Sequence, residues 1–581
     1  LDQKPIAGAG KESWMTDKAA RTLVFRILCG LVGSSTAIES VAAGDPAAPE
    51  SRPSRQATAV GVSCEKLAAL ALPDTTIFTA EAVAAGRFVT PRQSGGIAVP
   101  VAFCRVTGAI RPTADSDIRF ELWLPQSGWS GRYESVGNGG FAGAIRYDSM
   151  LNPLLGGSAV ASTDDGHRGP AVGPGSATWA LGHPEKIADF GYRAVHLTAL
   201  AGKAITQAYY GRAPRYAYFV GCSKGGQEGF MEAQRYPADF DGILSGAAAN
   251  QWTDLFSSFA WMADRNTRDR GGYLSIADLD KIGQAVRREC DAVDGVADGL
   301  ISTPLECKVD LASVGLTPQQ FVTYAAIHGG PVAAAGRRIY AGFPFGAEDV
   351  EWKRTVAGPS FDAAQGQVET GMYGSQFFAN FVYQDPAWSF QNFDLEKGSA
   401  DARRTMGAVM NSDDVSFAGF KARGGRLIQW NGLADGIVTA LGGVSYYHKV
   451  IAAQSGTTPA PVGEQPDAAA AATTNPFYRL FLAPGVGHCG GGPGPNAFGQ
   501  AGGNGDAEHD MVVALQQWVE KRVAPTRIVA TKYILKDSAR TVAMTRPLCA
   551  YPQVARYTGS GDPNEAANFT CLIPGRAAKP G

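Results

Sequence analysis

None of the nine cysteines stands in a C-x-x-C pair, so the sequence carries no zinc-knuckle or dithiol redox motif. Charge of one sign is missing as well. The 52 basic and 54 acidic residues leave a net charge of −2, which gives no electrostatic footprint for nucleic acid or for an anionic membrane. There is no internal repeat. No apolar run is long enough to span a bilayer; the nearest, residues 23–32, is too short and contains Arg26. At 45% hydrophobic and 18% charged, the 581 residues have an ordinary globular composition, with length for two domains or for one large domain carrying an insertion.

The short apolar run follows Lys18 and Arg21 and precedes the small residues Ser40-Val41-Ala42-Ala43, the order of a signal peptide, so residues 1–44 are expected to be a signal and what lies upstream of it. Cys29 would leave with that segment. Eight cysteines then remain, an even number that suits four disulfides in an oxidising compartment, and the expected location is secreted or periplasmic, with no stable membrane insertion after signal removal. The alternative is a buried N-terminal helix. Residues 45–59, rich in Pro, Ala and Ser, read as a disordered lead-in.

The stretch that organises the chain is residues 216–229. Residues 216–220 are aromatic and β-branched and suit a buried strand, Gly221-Cys222-Ser223-Lys224-Gly225 is a tight turn, and residues 230–235 favour a helix that Tyr236-Pro237 ends. With 72 glycines in the chain a bare G-x-S-x-G is weak. A strand, that turn and a helix together describe a nucleophile elbow, with Ser223 lifted above a sheet edge. Further strands are expected at residues 118–125, 133–136, 240–247, 425–432 and 478–484, residues 159–167 read as another strand with its C-terminal loop, and helices are expected at residues 192–210 and 508–523. Alternating β and α units imply a mostly parallel, doubly wound sheet, and the fold class is α/β, an α/β-hydrolase with a large inserted lid domain. The core would fall in residues 45–249 and 421–581. The lid would be residues 250–420, where the βα rhythm breaks into loops and aromatic clusters.

Two more residues complete a constellation. Asp435 follows the strand at 425–432, and His488 lies in the glycine loop after the strand at 478–484. Ser223, Asp435, His488 is the chain order of α/β-hydrolases. A serine hydroxyl is a poor nucleophile until an imidazole takes its proton, and an acid holds that imidazole in the right tautomer. After the strand at 133–136 comes Gly137-Asn138-Gly139-Gly140-Phe141-Ala142-Gly143, either a plain turn or the loop that supplies one oxyanion N–H, the other coming from Lys224. Cys222 adjoins Ser223 and Cys489 adjoins His488, so if serine and histidine meet, a disulfide there would staple them. Cys64 with Cys104 and Cys549 with Cys571 are further expected pairs.

Between Cys290 and Cys307, which would clamp the loop, stand Asp291, Asp294 and Asp298 with Gly295 and Gly299. Carboxylates at this spacing can wrap Ca²⁺, the alternative being a solvated acidic turn; no Glu at the twelfth position makes it an EF-hand.

These motifs together resemble the tannase and feruloyl esterase family, from about Cys64 to Cys571. The resemblance implies Ser223 as nucleophile, His488 as base, Asp435 as its orienter, a Cys222–Cys489 disulfide, and Gly140 and Lys224 as oxyanion-hole donors. It also implies a structural lid Ca²⁺ held by the Asp291, Asp294 and Asp298 side chains and the Val296 and Leu300 carbonyls. Members of the family cleave small-molecule esters of aromatic acids, galloyl, hydroxycinnamoyl or terephthaloyl. The expected function is therefore a secreted serine carboxylesterase of feruloyl esterase or tannase type working through an acyl-enzyme. Hydrolysis of mono(2-hydroxyethyl) terephthalate is the alternative, and a catalytically silent aromatic-ligand binding protein a second one. Phe381, Trp388 and Phe390 are candidate walls of the acid pocket, against ordinary lid core. Arg403 and Arg404 lie in the same region, where a terephthalate carboxylate would need an arginine.

Overall fold

The computed structural model describes residues 61–90, 96–170, 173, 175–536 and 539–574. The expected signal segment and the lead-in at 45–59 lie outside them. Nine strands form one sheet: β1 (Thr75–Val83), β2 (Phe103–Ile110), β3 (Ile118–Pro125), β4 (Arg132–Val136), β5 (Ala159–Thr163), β6 (Tyr216–Cys222), β7 (Gly242–Gly246), β8 (Arg426–Gly432) and β9 (Tyr478–Ala483), in the order β1-β2-β3-β5-β4-β6-β7-β8-β9. The first three strands and β5 pair antiparallel, while every pairing from β5 through β9 is parallel. This is the sheet of an α/β-hydrolase.

The parallel strands are apolar on both faces because both faces are covered. Along β6, Phe219 turns to a cluster with Tyr133, Ile205, Phe230 and Leu427, under α1 (Ala194–Tyr210). Its neighbours Tyr218 and Val220 turn the other way, onto Trp430, Leu515 and Trp518, the last two from Met511–Lys521 near the C-terminus. The helix after the elbow, α2 (Lys224–Arg235), starts directly after Ser223 rather than at Phe230. It runs through three glycines that helix propensity disfavours, and close packing overrides that preference: a Cβ on Gly226 would stand 2.4 Å from the Gly246 carbonyl oxygen.

β7 and β8 are hydrogen-bonded neighbours, yet 179 residues separate Gly246 from Arg426. That intervening stretch is helical, including α3 (Trp252–Thr267), α4 (Ile276–Cys290), α5 (Glu369–Phe377) and α6 (Leu395–Met410). An aromatic cluster of Trp252, Phe256, Phe259, Phe377, Phe381 and Phe390 joins it to Phe141 of the glycine loop. After β9, the chain adds α7 (Met511–Lys521) and a long antiparallel hairpin, β10 (Arg527–Lys536) with β11 (Ala539–Cys549), which the motif reading did not anticipate. No helix of the described residues is long and apolar enough to cross a membrane.

All four expected disulfides are formed: Cys64–Cys104, Cys222–Cys489, Cys290–Cys307 and Cys549–Cys571.

Candidate active site

Strand order decides where a ligand can sit. From β4 the chain crosses to β5 on one side, and the next parallel strand, β6, lies on the other. Such a switch point leaves a crevice at the carboxyl ends of the strands. The glycine loop leaves the end of β4 there, and Ser223 leaves the end of β6.

Ser223 has φ +64° and ψ −117°, a backbone conformation that L residues seldom adopt. Three bonds hold it: its N–H donates to the Gly246 carbonyl at 2.9 Å, and its own carbonyl accepts from Gln227 N–H at 3.0 Å and Ala249 N–H at 3.1 Å. Lys224 opens α2, so its N–H is a first-turn amide that has no acceptor within the helix. The Lys224 side chain points inward and donates to Glu228 Oε1 at 2.7 Å. The other oxygen of Glu228 accepts the Asn138 N–H at 3.1 Å, while the Asn138 carbonyl accepts from Gly225 N–H at 2.8 Å. The glycine loop and the elbow are thereby tied to one another.

His488 Nδ1 donates to Asp435 Oδ2 at 2.8 Å. The other oxygen of Asp435, a fully buried side chain, accepts the Ile437 and Val438 N–H groups, both at 2.8 Å. An acceptor so placed fixes Nδ1 as the protonated ring nitrogen and leaves Nε2 to take a proton. Burial works to lower the His488 pKa. The charge and hydrogen bond of Asp435, with the charge of Glu351, outweigh burial and the opposing Arg354, and hold it above the ordinary imidazole value.

Ser223 and His488 line one cavity of about 410 Å³, together with Cys222, Cys489, Gly139 and Gly140. The Cys222–Cys489 bond joins their neighbours, with 5.9 Å between the two Cα atoms. This arrangement has the parts acyl transfer requires: a hydroxyl on a strained turn, an oriented imidazole, and amides of a helix start and a glycine loop.

The helical stretch supplies Arg354, Glu369 and Tyr373 to the same cavity, and β4 and the segment after it supply Glu134 and Arg146. Arg354 is ion-paired with Glu369. No motif marks these residues in the sequence. Phe381, Trp388 and Phe390 do not line the cavity. Phe381 and Phe390 are buried in the aromatic cluster, where the ring centroid of Phe381 is 5.7 Å from that of Phe141, and Trp388 packs on Phe378 at 5.0 Å. Their large rings bury more apolar surface behind the cavity wall than they could on it, and Tyr373 is the aromatic side chain that the helical stretch presents. Arg403 pairs with Asp254 and Asp413, and Arg404 with Asp401; neither lines the cavity.

The acidic loop lies away from that cavity. Asp291 Oδ1 accepts the Asp298 and Gly299 N–H groups at 3.0 and 2.8 Å, and Asp294 Oδ1 that of Val296 at 3.1 Å. Asp294 Oδ2 is buried without a hydrogen bond, the Ser302 hydroxyl being the side chain that acts on this carboxyl, and Asp298 is paired with the buried Arg546. Burial raises the Asp294 carboxyl and pushes that of Asp298 up to about 6, Arg546 notwithstanding. All-oxygen donors and an orphaned buried carboxylate oxygen suit a hard cation, and Leu300 is buried close by. The three carboxylates are nevertheless spread. Among the described residues the group with ligand atoms within 4.8 Å of one another is a different one, His196, Glu232 and Asp239.

Comparison with known proteins sets this geometry in context. The family described as tannase and feruloyl esterase matches residues 104–572. An uncharacterized esterase of Xanthomonas campestris pv. campestris is 40% identical over 540 residues, 89% of this chain and 92% of that protein. The mono(2-hydroxyethyl) terephthalate hydrolase of Piscinibacter sakaiensis is 30% identical over 566 residues, 85% of this chain and 88% of that enzyme. The crystal structure of feruloyl esterase B from Aspergillus oryzae superposes with a TM-score of 0.77 at 26% identity, over 88% of this chain and 99% of that one.

Proposed function

The chain belongs to the tannase and feruloyl esterase family, and from that premise we propose that it is a secreted serine carboxylesterase hydrolysing small esters of aromatic acids through an acyl-enzyme. The observation that carries the reading is the 2.8 Å His488–Asp435 hydrogen bond, with His488 lining the same cavity as Ser223.

In this mechanism His488 Nε2 takes the Ser223 Oγ proton as Oγ attacks the ester carbonyl carbon. Asp435 steadies the imidazolium, and the amides of Lys224 and Gly140 receive the negative charge on the carbonyl oxygen. His488 then protonates the departing alcohol. Water, deprotonated by the same imidazole, releases the acid and restores Ser223. Removing one oxyanion donor costs such a reaction about 2.7–4 kcal/mol, so the glycine loop matters as much as the elbow.

Calcium belongs to the proposal as a structural ion. Asp291, Asp294 and Asp298, with the Val296 and Leu300 carbonyls, would hold it, and its charge would satisfy the orphaned Asp294 oxygen. It takes no part in the chemistry. The helical stretch 250–420 serves as the lid, and Tyr373 with Arg354 forms its contribution to the acid pocket. Kinship with the terephthalate-ester hydrolase keeps mono(2-hydroxyethyl) terephthalate as the second substrate reading. Among the described residues Arg354 is the lid arginine that lines the cavity, and its pairing with Glu369 favours an uncharged phenolic acid over a dicarboxylate.

The test is hydrolysis of methyl ferulate, methyl gallate, mono(2-hydroxyethyl) terephthalate and p-nitrophenyl acetate by the protein and by Ser223→Ala. Turnover of an aromatic ester, lost in the variant, is expected. Turnover of p-nitrophenyl acetate alone would remove the aromatic-acid assignment. A folded protein that turns over nothing would be the aromatic-ligand binder instead.

A further inference from the structure

Glu351 lies in the helical stretch, just before the turn Lys353–Ala357, and far in sequence from both Asp435 and His488. Its two carboxylate oxygens nonetheless divide between the loops of those residues. Oε1 accepts the His488 backbone N–H at 3.0 Å, and Oε2 accepts the Gly436 N–H at 2.7 Å. The residues at the two contact points are shaped to admit it. A Cβ on Gly436 would stand 2.8 Å from Glu351 Cβ, and a Cβ on Gly487 would stand 2.6 Å from Glu351 Oε1. Any other residue at either position would push the carboxylate out.

From this geometry we infer that Glu351 is a positioning residue, the clamp that sets the base loop against the acid loop so that the His488 imidazole meets both Asp435 and Ser223. The inference rests on the triad reading above and adds a part to it that comes from outside the core. Glu351 touches no reacting atom. It acts by holding the backbone on either side of the His488–Asp435 bond, and by placing a second negative charge near the ring. The charged groups facing His488 are then Asp435, Glu351 and Arg354, the last with Nη2 3.7 Å from Glu351 Oε1. Backbone amides bound to a carboxylate form charge-assisted bonds, roughly twice as strong as neutral ones. A side-chain amide at 351 would turn its NH₂ against one of the two N–H groups, so Gln cannot serve as a neutral replacement.

The test measures kcat and KM for p-nitrophenyl acetate and methyl ferulate in the full chain, Glu351→Gln and Glu351→Asp, per active site titrated with a fluorophosphonate, and turnover per protein molecule in Ser223→Ala. Because a misplacement of about 1 Å can cost about 100-fold, Glu351→Gln is expected to lower kcat about 10- to 100-fold. KM should change little, since no substrate contact is lost. The acidic limb of kcat/KM should move to lower pH in Glu351→Gln, where the neighbouring charge is gone, and stay in place in Glu351→Asp, where it remains. An unchanged kcat per titrated site in Glu351→Gln would overturn the inference. So would equal losses in both variants that follow only their melting temperatures, with no movement of the limb. Should Glu351→Gln not fold, Glu351→Asp still decides: too short to reach both amides, it must lose kcat while keeping the limb. If turnover survives Ser223→Ala, the triad reading fails first and the positioning role falls with it.

Discussion

Cys222 and Cys489 are bonded to one another across 267 residues of sequence, and each directly adjoins one half of the proposed nucleophile–base pair. The bond sits on the cavity wall with Ser223 and His488. Closing so long a loop restricts the unfolded chain strongly, and native disulfides of this kind are worth about 2–5 kcal/mol. It also restrains how the proposed nucleophile and base stand relative to one another. Replacing both cysteines by serine is expected to lower the melting temperature and to reduce kcat more than it raises KM. Thermal unfolding and steady-state kinetics on the double variant check this. A variant destabilised yet with full kcat would limit the bond to a stabilising role.

The Asp435 carboxylate determines which nitrogen of His488 carries the proton. Asp435→Asn should leave the backbone bonds around it largely in place while permitting the wrong tautomer. A fall in kcat of about 10⁴-fold is expected, as for the equivalent change in a serine protease triad. Fluorophosphonate labelling of Ser223 should slow in parallel, and normal labelling with lost ester turnover would assign Asp435 some other part.

The pH dependence follows from the sign of the His488 shift. Burial depresses its pKa, Asp435 and Glu351 raise it more, and the net displacement is upward from 6.5. The base must be neutral, so kcat/KM should rise with pH through an acidic limb lying above 6.5. A limb below 6.5 in the unmodified protein would mean that burial wins.

Glu134, on β4 at the cavity, gives a stability prediction. Burial, with a smaller contribution from Asp510, pushes its carboxyl up to about 8 despite Arg132. Its pKa in the folded protein then exceeds the 4.5 of the unfolded chain. The folded state binds more protons between those values, and stability from this group is present below 4.5 and lost as pH rises through about 8. Glu134→Gln should therefore raise the melting temperature at pH 9 by more than at pH 5. An equal change at both would show that the group is hydrated and ordinary.

Calcium is tested by chelation. EGTA should lower the melting temperature, because the proposed ion would bind only the folded loop, and calcium should restore it. The Ser223-dependent rate of the protein that remains folded should be unchanged. Loss of that rate in folded, chelated protein would move the ion into the chemistry.

What the sequence made legible, and what it hid, divides along the range of the interactions. The elbow, the glycine loop, Asp435 and His488 each follow a short strand at once, so a local pattern of β-branched and aromatic residues ending in glycines locates them. The cysteine neighbours allowed a disulfide to be read from a conditional contact. By contrast, α2 starts six residues before the helix its composition predicts, because Gly225, Gly226 and Gly229 are poor helix formers, and only packing explains them, Gly225 against the glycine loop and Gly226 and Gly229 against β7. The cavity wall was legible in composition but not in identity. Phe381 and Phe390 carry the same aromatic signal as Tyr373, and nothing local separates a ring in the cluster from a ring on the cavity. Glu351 had no signal at all. Its partners are backbone amides far along the chain, and a carboxylate that reads them looks like any surface glutamate.

The place of the helical stretch has a consequence for descent. It enters from the end of β7 and returns to the start of β8, and those strands are bonded neighbours whether the connection is long or short. The sheet therefore exerts no selection on the length or content of the cassette between them. A connection so placed can be exchanged or rebuilt without disturbing the strand ends that carry Ser223, Asp435 and His488. Position 351 is the exception, a point where the helical stretch reaches back onto the loops of His488 and Asp435. A graft between relatives that carries the pocket wall but loses that carboxylate would inherit recognition without its rate.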